Sequence, residues 1–141
     1  MKLLSDTNVL LALTAECHAS HTKVLRWWEE QAKDGPIYVC RHVQMGLLRL
    51  ISSEAALGAD AVTLPNAWAV YASLLASGRF AFTLEPQGLD PLWEHFCRPF
   101  RKSPKVVMDA YLAAFAKAGG YRLVTLDSAF VSFPGLDHEV I

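Results

Sequence analysis

The chain has 141 residues, 52% of them hydrophobic and 19% charged, with a formal net charge of −1. That balance excludes a disordered polyelectrolyte and any global attraction to nucleic acid, so a nucleic-acid contact would have to come from a local patch. No apolar run approaches the roughly 18 residues of a membrane span, and Cys17, Cys40 and Cys97 lack CxxC spacing, which predicts free thiols and no zinc finger or disulfide frame.

The length predicts one domain over 1–141. Lys2 and the leucines after it imitate a secretory signal, but Ser5-Asp6-Thr7-Asn8 interrupts the apolar region that such a signal needs, and the expectation is a cytoplasmic protein. A strand over 2–5 hands over to a helix over 7–14; Asp6 between them is, taken alone, equally well an N-cap. "HTKVLRWWEEQAKDG", 21–35, predicts a helix with Val24, Leu25, Trp27, Trp28 and Ala32 on its apolar face, stopped by Gly35-Pro36. Next come a strand over 37–40 ("IYVC") and a helix over 43–55.

Pro65 and Gly78 bracket a helix over 65–77, and "RFAFTL", 79–84, reads as a strand. Asp90 is placed to cap a helix over 91–100 that opens on Pro91. "KVVMDAYLAAFAKA", 105–118, is the clearest helix, ended by Gly119-Gly120; "YRLVTL", 121–126, is a strand, and a short strand over 138–141 closes the chain. Trp27, Trp28, Trp68 and Tyr71 read as core or packing surface rather than ligand-stacking groups. Strands alternating with helices predict an α/β fold, a mostly parallel sheet covered on both faces.

The element lengths bring carboxylates together. From Asp109 the helix runs outward about 15 Å at 1.5 Å per residue, and the strand over 121–126 returns about 18–20 Å at 3.3 Å per residue. Asp109 and Asp127 therefore belong to one edge of the sheet. Asp6 follows the first strand, and Gln44 comes soon after the second, so both belong to the same carboxyl-end edge, where open α/β sheets bind ligands. Carboxylates about 4 Å apart repel by about 4 kcal/mol at an effective dielectric near 20, so a cation is expected among them. Hard oxygen donors without a convergent His or Cys point to Mg²⁺ or Mn²⁺, the ions of phosphate chemistry.

The stretch "CRPFRKSPK", 97–105, carries Arg98, Arg101, Lys102 and Lys105 with no acid and leads into the helix of Asp109. By itself such a run is commonly a solvated face. Beside a metal it becomes a candidate phosphate-backbone contact, and four such contacts would give a log-log salt slope of about −3 for single strands.

Four blocks, "LLSDTNVLLAL", "GLLRLIS" (46–52), "DAYLAAFA" (109–116) and "LVTLDSAF" (123–130), together resemble the PIN-domain ribonucleases, specifically the VapC-type toxins of toxin-antitoxin pairs. The resemblance implies a PIN-like central sheet of four or five strands flanked by helices, and metal-dependent endonucleolytic cleavage of RNA such as a tRNA or rRNA loop. It also implies a homodimer and a small cognate antitoxin. Asp6 and Asp109 would be the main metal ligands, Asp127 a third acid, and Asn8 and Thr125 the polar side chains that orient them. The family usually places Glu where this chain has Gln44; an amide oxygen can still ligate or orient water, but it adds no charge and cannot act as a base, so the expectation is a one-metal site or a weak second ion filled with substrate.

Two other readings stand beside this one. A phosphotransferase using Asp6 as a covalent nucleophile would need an acid two positions on, where Asn8 sits. A catalytically weakened or inactive RNA- or partner-binding module would account for Gln44. His18 and His21 have no third ligand nearby in sequence, His42 falls near the same edge, within reach of a substrate, but reads more simply as a residue at a helix start, Arg49 reads as an ion-pair or phosphate contact, and Ser128 lacks a His-Asp partnership.

Overall fold

The structure is a computed structural model and describes residues 1–31 and 35–141. Five strands, β1 (Lys2–Ser5), β2 (Ile37–Val39), β3 (Phe80–Phe82), β4 (Tyr121–Thr125) and β5 (His138–Val140), form one sheet in the order β3-β2-β1-β4-β5. Every pairing is parallel. The helices are α1 (Thr7–Thr14), α2 (His21–Glu30), α3 (Arg41–Ile51), α4 (Glu54–Leu57), α5 (Leu64–Ala76), α6 (Leu89–Cys97) and α7 (Pro104–Gly119). Short 3-10 turns span Gly58–Asp60 and Ser128–Ser132.

The middle of the sheet is covered on both faces. Leu4, Val39, Leu123 and Val124 on the strands are fully buried, as are Leu10 on α1, Val43 and Leu47 on α3, and Phe115 on α7. Each such apolar side chain taken from water contributes about 1.5–3 kcal/mol. On α7 the buried residues include Ala110, Ala113, Ala114 and Ala116, small enough to let its backbone approach its neighbours while Phe115 fills the space beyond.

Most element boundaries shift by a few residues from the sequence-based expectation, with local causes. The helix expected over 21–35 stops at Glu30, because Gln31 is extended at φ −64° and ψ 137°. Ala32, expected on its apolar face, lies outside the described residues. The helix expected over 43–55 begins at Arg41 behind Cys40 and breaks after Ile51. There Ser52 Oγ donates back to the Leu48 carbonyl, and Ser53 Oγ accepts from Ala56 N–H to start α4 afresh. The cap of α6 is Gly88, whose φ of +80° suits glycine, and Asp90 falls inside the first turn.

Strand order locates the functional edge. The chain proceeds from β1 through β2 to β3 on one side, then crosses to β4 and β5 on the other. Progression reverses between β1 and β4, and the crevice at the carboxyl ends of those strands is the topological switch point.

Candidate active site

Asp6 sits at that switch point. The Asp6 amide donates to the Val124 carbonyl at 2.9 Å, carrying the β1–β4 ladder one residue beyond the paired Ser5 and Val124. Its backbone is extended (φ −77°, ψ 158°), and its Oδ1 accepts from Thr7 N–H at 2.6 Å, so it does cap α1. The other oxygen, Oδ2, accepts from Thr125 Oγ1 at 2.7 Å. Only 9% of Asp6 is exposed, and burial raises its pKa above the ordinary 3.8; the Thr125 and Thr7 hydrogen bonds oppose the shift, and the nearby Asp109 and Asp127 charges add to it.

Thr125 and Asn8 fix this corner together. The Thr125 hydroxyl is fully buried; it donates to Asp6 and accepts from the Asp127 amide at 3.0 Å and from Asn8 Nδ2 at 3.4 Å. Its one proton and two lone pairs are thereby all used. Asn8 Oδ1 accepts from the Leu126 amide at 3.1 Å, stitching α1 to the end of β4.

Asp109 lies in the second turn of α7, where burial raises its pKa, Lys105 opposes the shift, Asp127 adds to it and His42 opposes it. Asp127 caps the 3-10 turn that follows β4, accepting from the Ala129 amide at 2.9 Å, and this backbone hydrogen bond leads the causes that hold its pKa low. The three acids thus act on one another electrostatically at one edge, as the lengths of α7 and β4 require. Burial is the leading cause that raises the pKa of two of them, and among the described residues the three carboxylates are met at this edge by the Lys105 ammonium, which lies by Asp109 and Asp127. Such hard oxygen donors fit a hard divalent cation, which can be held by one or two carboxylates with several waters. Among the described residues, as they stand without an ion, no group of three or more His, Cys, Asp or Glu side chains is arranged to hold one.

The basic stretch divides. Lys105 Nζ lies 3.1 Å from Asp127 Oδ2 and 3.9 Å from Asp109 Oδ2, so the acids hold it, and their hydrogen bond and charges raise its pKa. Arg98 is paired with Glu94 at 2.8 Å on the surface of α6. Arg101 and Lys102 are exposed on the turn between α6 and α7. The i,i+4 spacing of Lys105 and Asp109 was a visible signal for that ion pair; the path of Lys105 to Asp127 was not, because it crosses between elements.

Gln44 is 5% exposed on the first turn of α3, and its amide oxygen accepts from the Arg41 guanidinium, which itself stacks 4.5 Å from the Phe82 ring centroid. The Gln44 oxygen is thus committed to Arg41. Two residues not singled out as site members lie close by. Ser5, fully buried, donates its hydroxyl to the Asp6 carbonyl at 3.0 Å. His42 packs edge-on against Tyr111 at 5.7 Å, and burial lowers its pKa against the opposing Asp109 charge. Nothing in the local sequence marks the Ser5 hydroxyl, whereas the place of His42 soon after the second strand had already put it near this edge.

The model of the PIN domain family matches residues 3–136. Ribonuclease VapC41 of Mycobacterium tuberculosis is 42% identical over 143 aligned positions, covering 99% of this chain and 98% of that protein. Ribonuclease VapC44 of the same organism is 31% identical, covering 96% and 94%. Among solved structures, VapBC2 of Rickettsia felis, bound to a DNA fragment from its promoter, superposes with a TM-score of 0.69 at 17% identity over 99% of this chain and 98% of that one. VapC20 of M. tuberculosis, a sarcin-ricin-loop-cleaving toxin, does so with a TM-score of 0.66 at 19% identity, covering 93% and 94%.

Proposed function

From the premise that this chain belongs to the PIN-domain family and is of the VapC type, we propose that it is a metal-dependent endoribonuclease and the toxin of a toxin-antitoxin pair. The observation that carries the chemistry is the placement of Asp6 at the switch point, its two oxygens oriented by Thr7 and Thr125, within the electrostatic reach of Asp109 and Asp127.

Divalent-metal dependence is general for the family, and we assign the ion as Mg²⁺ or Mn²⁺ from the oxygen-only donors. Asp6, Asp109 and Asp127 would hold it, and when bound it supplies an activated water and neutralises charge on the phosphoryl oxygens. The protein's own part is positional. Thr125 and Asn8 keep the Asp6 carboxylate and the start of the Asp127 segment in place, while Arg101 and Lys102 offer cations to the phosphate backbone. Gln44, neutral and engaged by Arg41, cannot take a proton from water as a carboxylate would.

The substrate proposed is a structured RNA, a tRNA or rRNA loop, and the protein partners a small antitoxin and a second copy of the chain. The proposed site of action is the cytoplasm; among the described residues no helix is long and apolar enough to cross a membrane. A second reading, a weakened or inactive binding module, is favoured by one observation, the neutral Gln44 held by Arg41.

Cleavage of total cellular RNA by the antitoxin-free protein in Mg²⁺, Mn²⁺ or EDTA, beside Asp109→Asn, separates the two. Discrete metal-dependent fragments that are absent with Asp109→Asn are expected. RNA binding without cleavage in either ion, from folded protein, would transfer the assignment to the binding module.

A further inference from the structure

Lys105 stands where the dipole of its own helix disfavours it. It lies in the first turn of α7, which holds no acidic residue, and a cation there faces the positive end of the macrodipole. Its ammonium nevertheless lies 3.1 Å from Asp127 and 3.9 Å from Asp109, while 75% of the side chain remains exposed, against 24% for Asp109 and 29% for Asp127. The two carboxylates, and not packing, hold it.

We propose that Lys105 is the resident counter-ion of the acidic edge, occupying in the metal-free protein the carboxylate oxygens that a divalent cation takes, so that the ion binds by displacing it. This rests on the metal-site reading given above. A Mg²⁺ ion lies about 2.0–2.1 Å from its oxygen ligands, too close for an ammonium on the same oxygen to remain without strong cation-cation repulsion. The lysine can leave readily: it keeps its proton throughout, its four-carbon stem is flexible, and most of it already lies in solvent. The exchange keeps three clustered acids ionised and tolerable before the metal arrives. It also sets the metal affinity below what those acids would give alone.

The test is Mn²⁺ titration of the chelator-stripped full chain at about 0.15 M ionic strength, where the Debye length is about 8 Å, followed by calorimetry and by the spin-resonance signal of free Mn²⁺. Wild type is compared with Lys105→Met, Lys105→Arg, Lys102→Met and Asp109→Asn, and the metal-free melting temperature of each is recorded. Lys105→Met should bind Mn²⁺ about tenfold more tightly, equivalent to 1.4 kcal/mol. Lys102→Met should stay within about twofold, since an exposed charge without a partner in the cluster is largely screened. Lys105→Arg should match wild type. Without metal, Lys105→Met should melt below wild type, and saturating Mn²⁺ should close that gap.

Binding by Lys105→Met no tighter than wild type, with Asp109→Asn clearly weakened, overturns the exchange and leaves the metal site standing. Equal tightening in Lys102→Met also overturns it, reducing the effect to net charge. No Mn²⁺ binding by wild type or Lys105→Met removes the metal reading and the exchange together.

Discussion

Thr125 and Asp6, 119 positions apart in sequence, are joined by a buried hydrogen bond of 2.7 Å that ties the end of β4 to the first residue past β1. Ser5 and Val124 pair in the ladder, so the next residue on each strand meets at the switch point. Thr125→Val keeps the shape and removes the donor. It should lower stability by about 1–3 kcal/mol, the penalty for a buried acceptor left unmet, read from urea unfolding at pH 7. Metal affinity should fall about 10–100-fold, as for other residues that orient a ligand. Unchanged Mn²⁺ affinity would argue that Asp6 does not ligate.

The helix contact behind Asp6 gives a packing prediction. A Cβ at Gly46 of α3 would lie 2.7 Å from Thr7 Oγ1 and 2.8 Å from its Cγ2, so α1 and α3 meet only because position 46 has no side chain. Gly46→Ala should destabilise by about 1–3 kcal/mol through overpacking. Adding Thr7→Ala should recover part of the loss in a double-mutant cycle; strictly additive losses would show that the contact is not the cause.

The acids give a pH dependence with a definite sign. Burial raises the folded pKa values of Asp6 and Asp109 above 3.8, so their contribution to stability is fully present below that pH and is lost as pH rises through their folded values. Asp127, held low by the Ala129 amide, contributes above 3.8 and loses its contribution as pH falls through its folded value. Metal-free Asp109→Asn should therefore unfold at higher urea than wild type at neutral pH, with the advantage shrinking as pH approaches 4. A pH-independent difference would contradict the burial argument.

A divalent ion should reverse that order. At about 100 times its dissociation constant, an ion that binds only the folded state adds about 2.7 kcal/mol. Wild type should gain this in Mn²⁺ and lose it in EDTA, and Asp109→Asn should gain little. Equal gains by thermal melting would place the ion elsewhere.

The salt dependence of RNA binding should be shallower than a count of the basic run implies. With Arg98 on Glu94 and Lys105 on the acids, two cations, Arg101 and Lys102, remain for phosphates. The log-log slope for a single-stranded RNA in chelator should be near −1.4, from about 0.7 per contact. A slope near −3 would mean that all four reach the backbone.

By itself the sequence determined the alternation of strands and helices, and hence the parallel sheet, because apolar periodicity and Gly or Pro punctuation are local properties. It also put Asp6, Asp109 and Asp127 at one edge, Asp109 and Asp127 through a helix and a returning strand of matching length and Asp6 through its place after a parallel strand. Only the tertiary structure decided which polar groups meet. Asp6 finds Thr125 through strand register, Gln44 is turned to Arg41, and Lys105 reaches across to Asp127. The ends of α2 and α3 were likewise settled by one extended residue and two serines. These choices turn on a few ångströms between side chains far apart in the chain, and hydrophobic pattern carries no information at that scale.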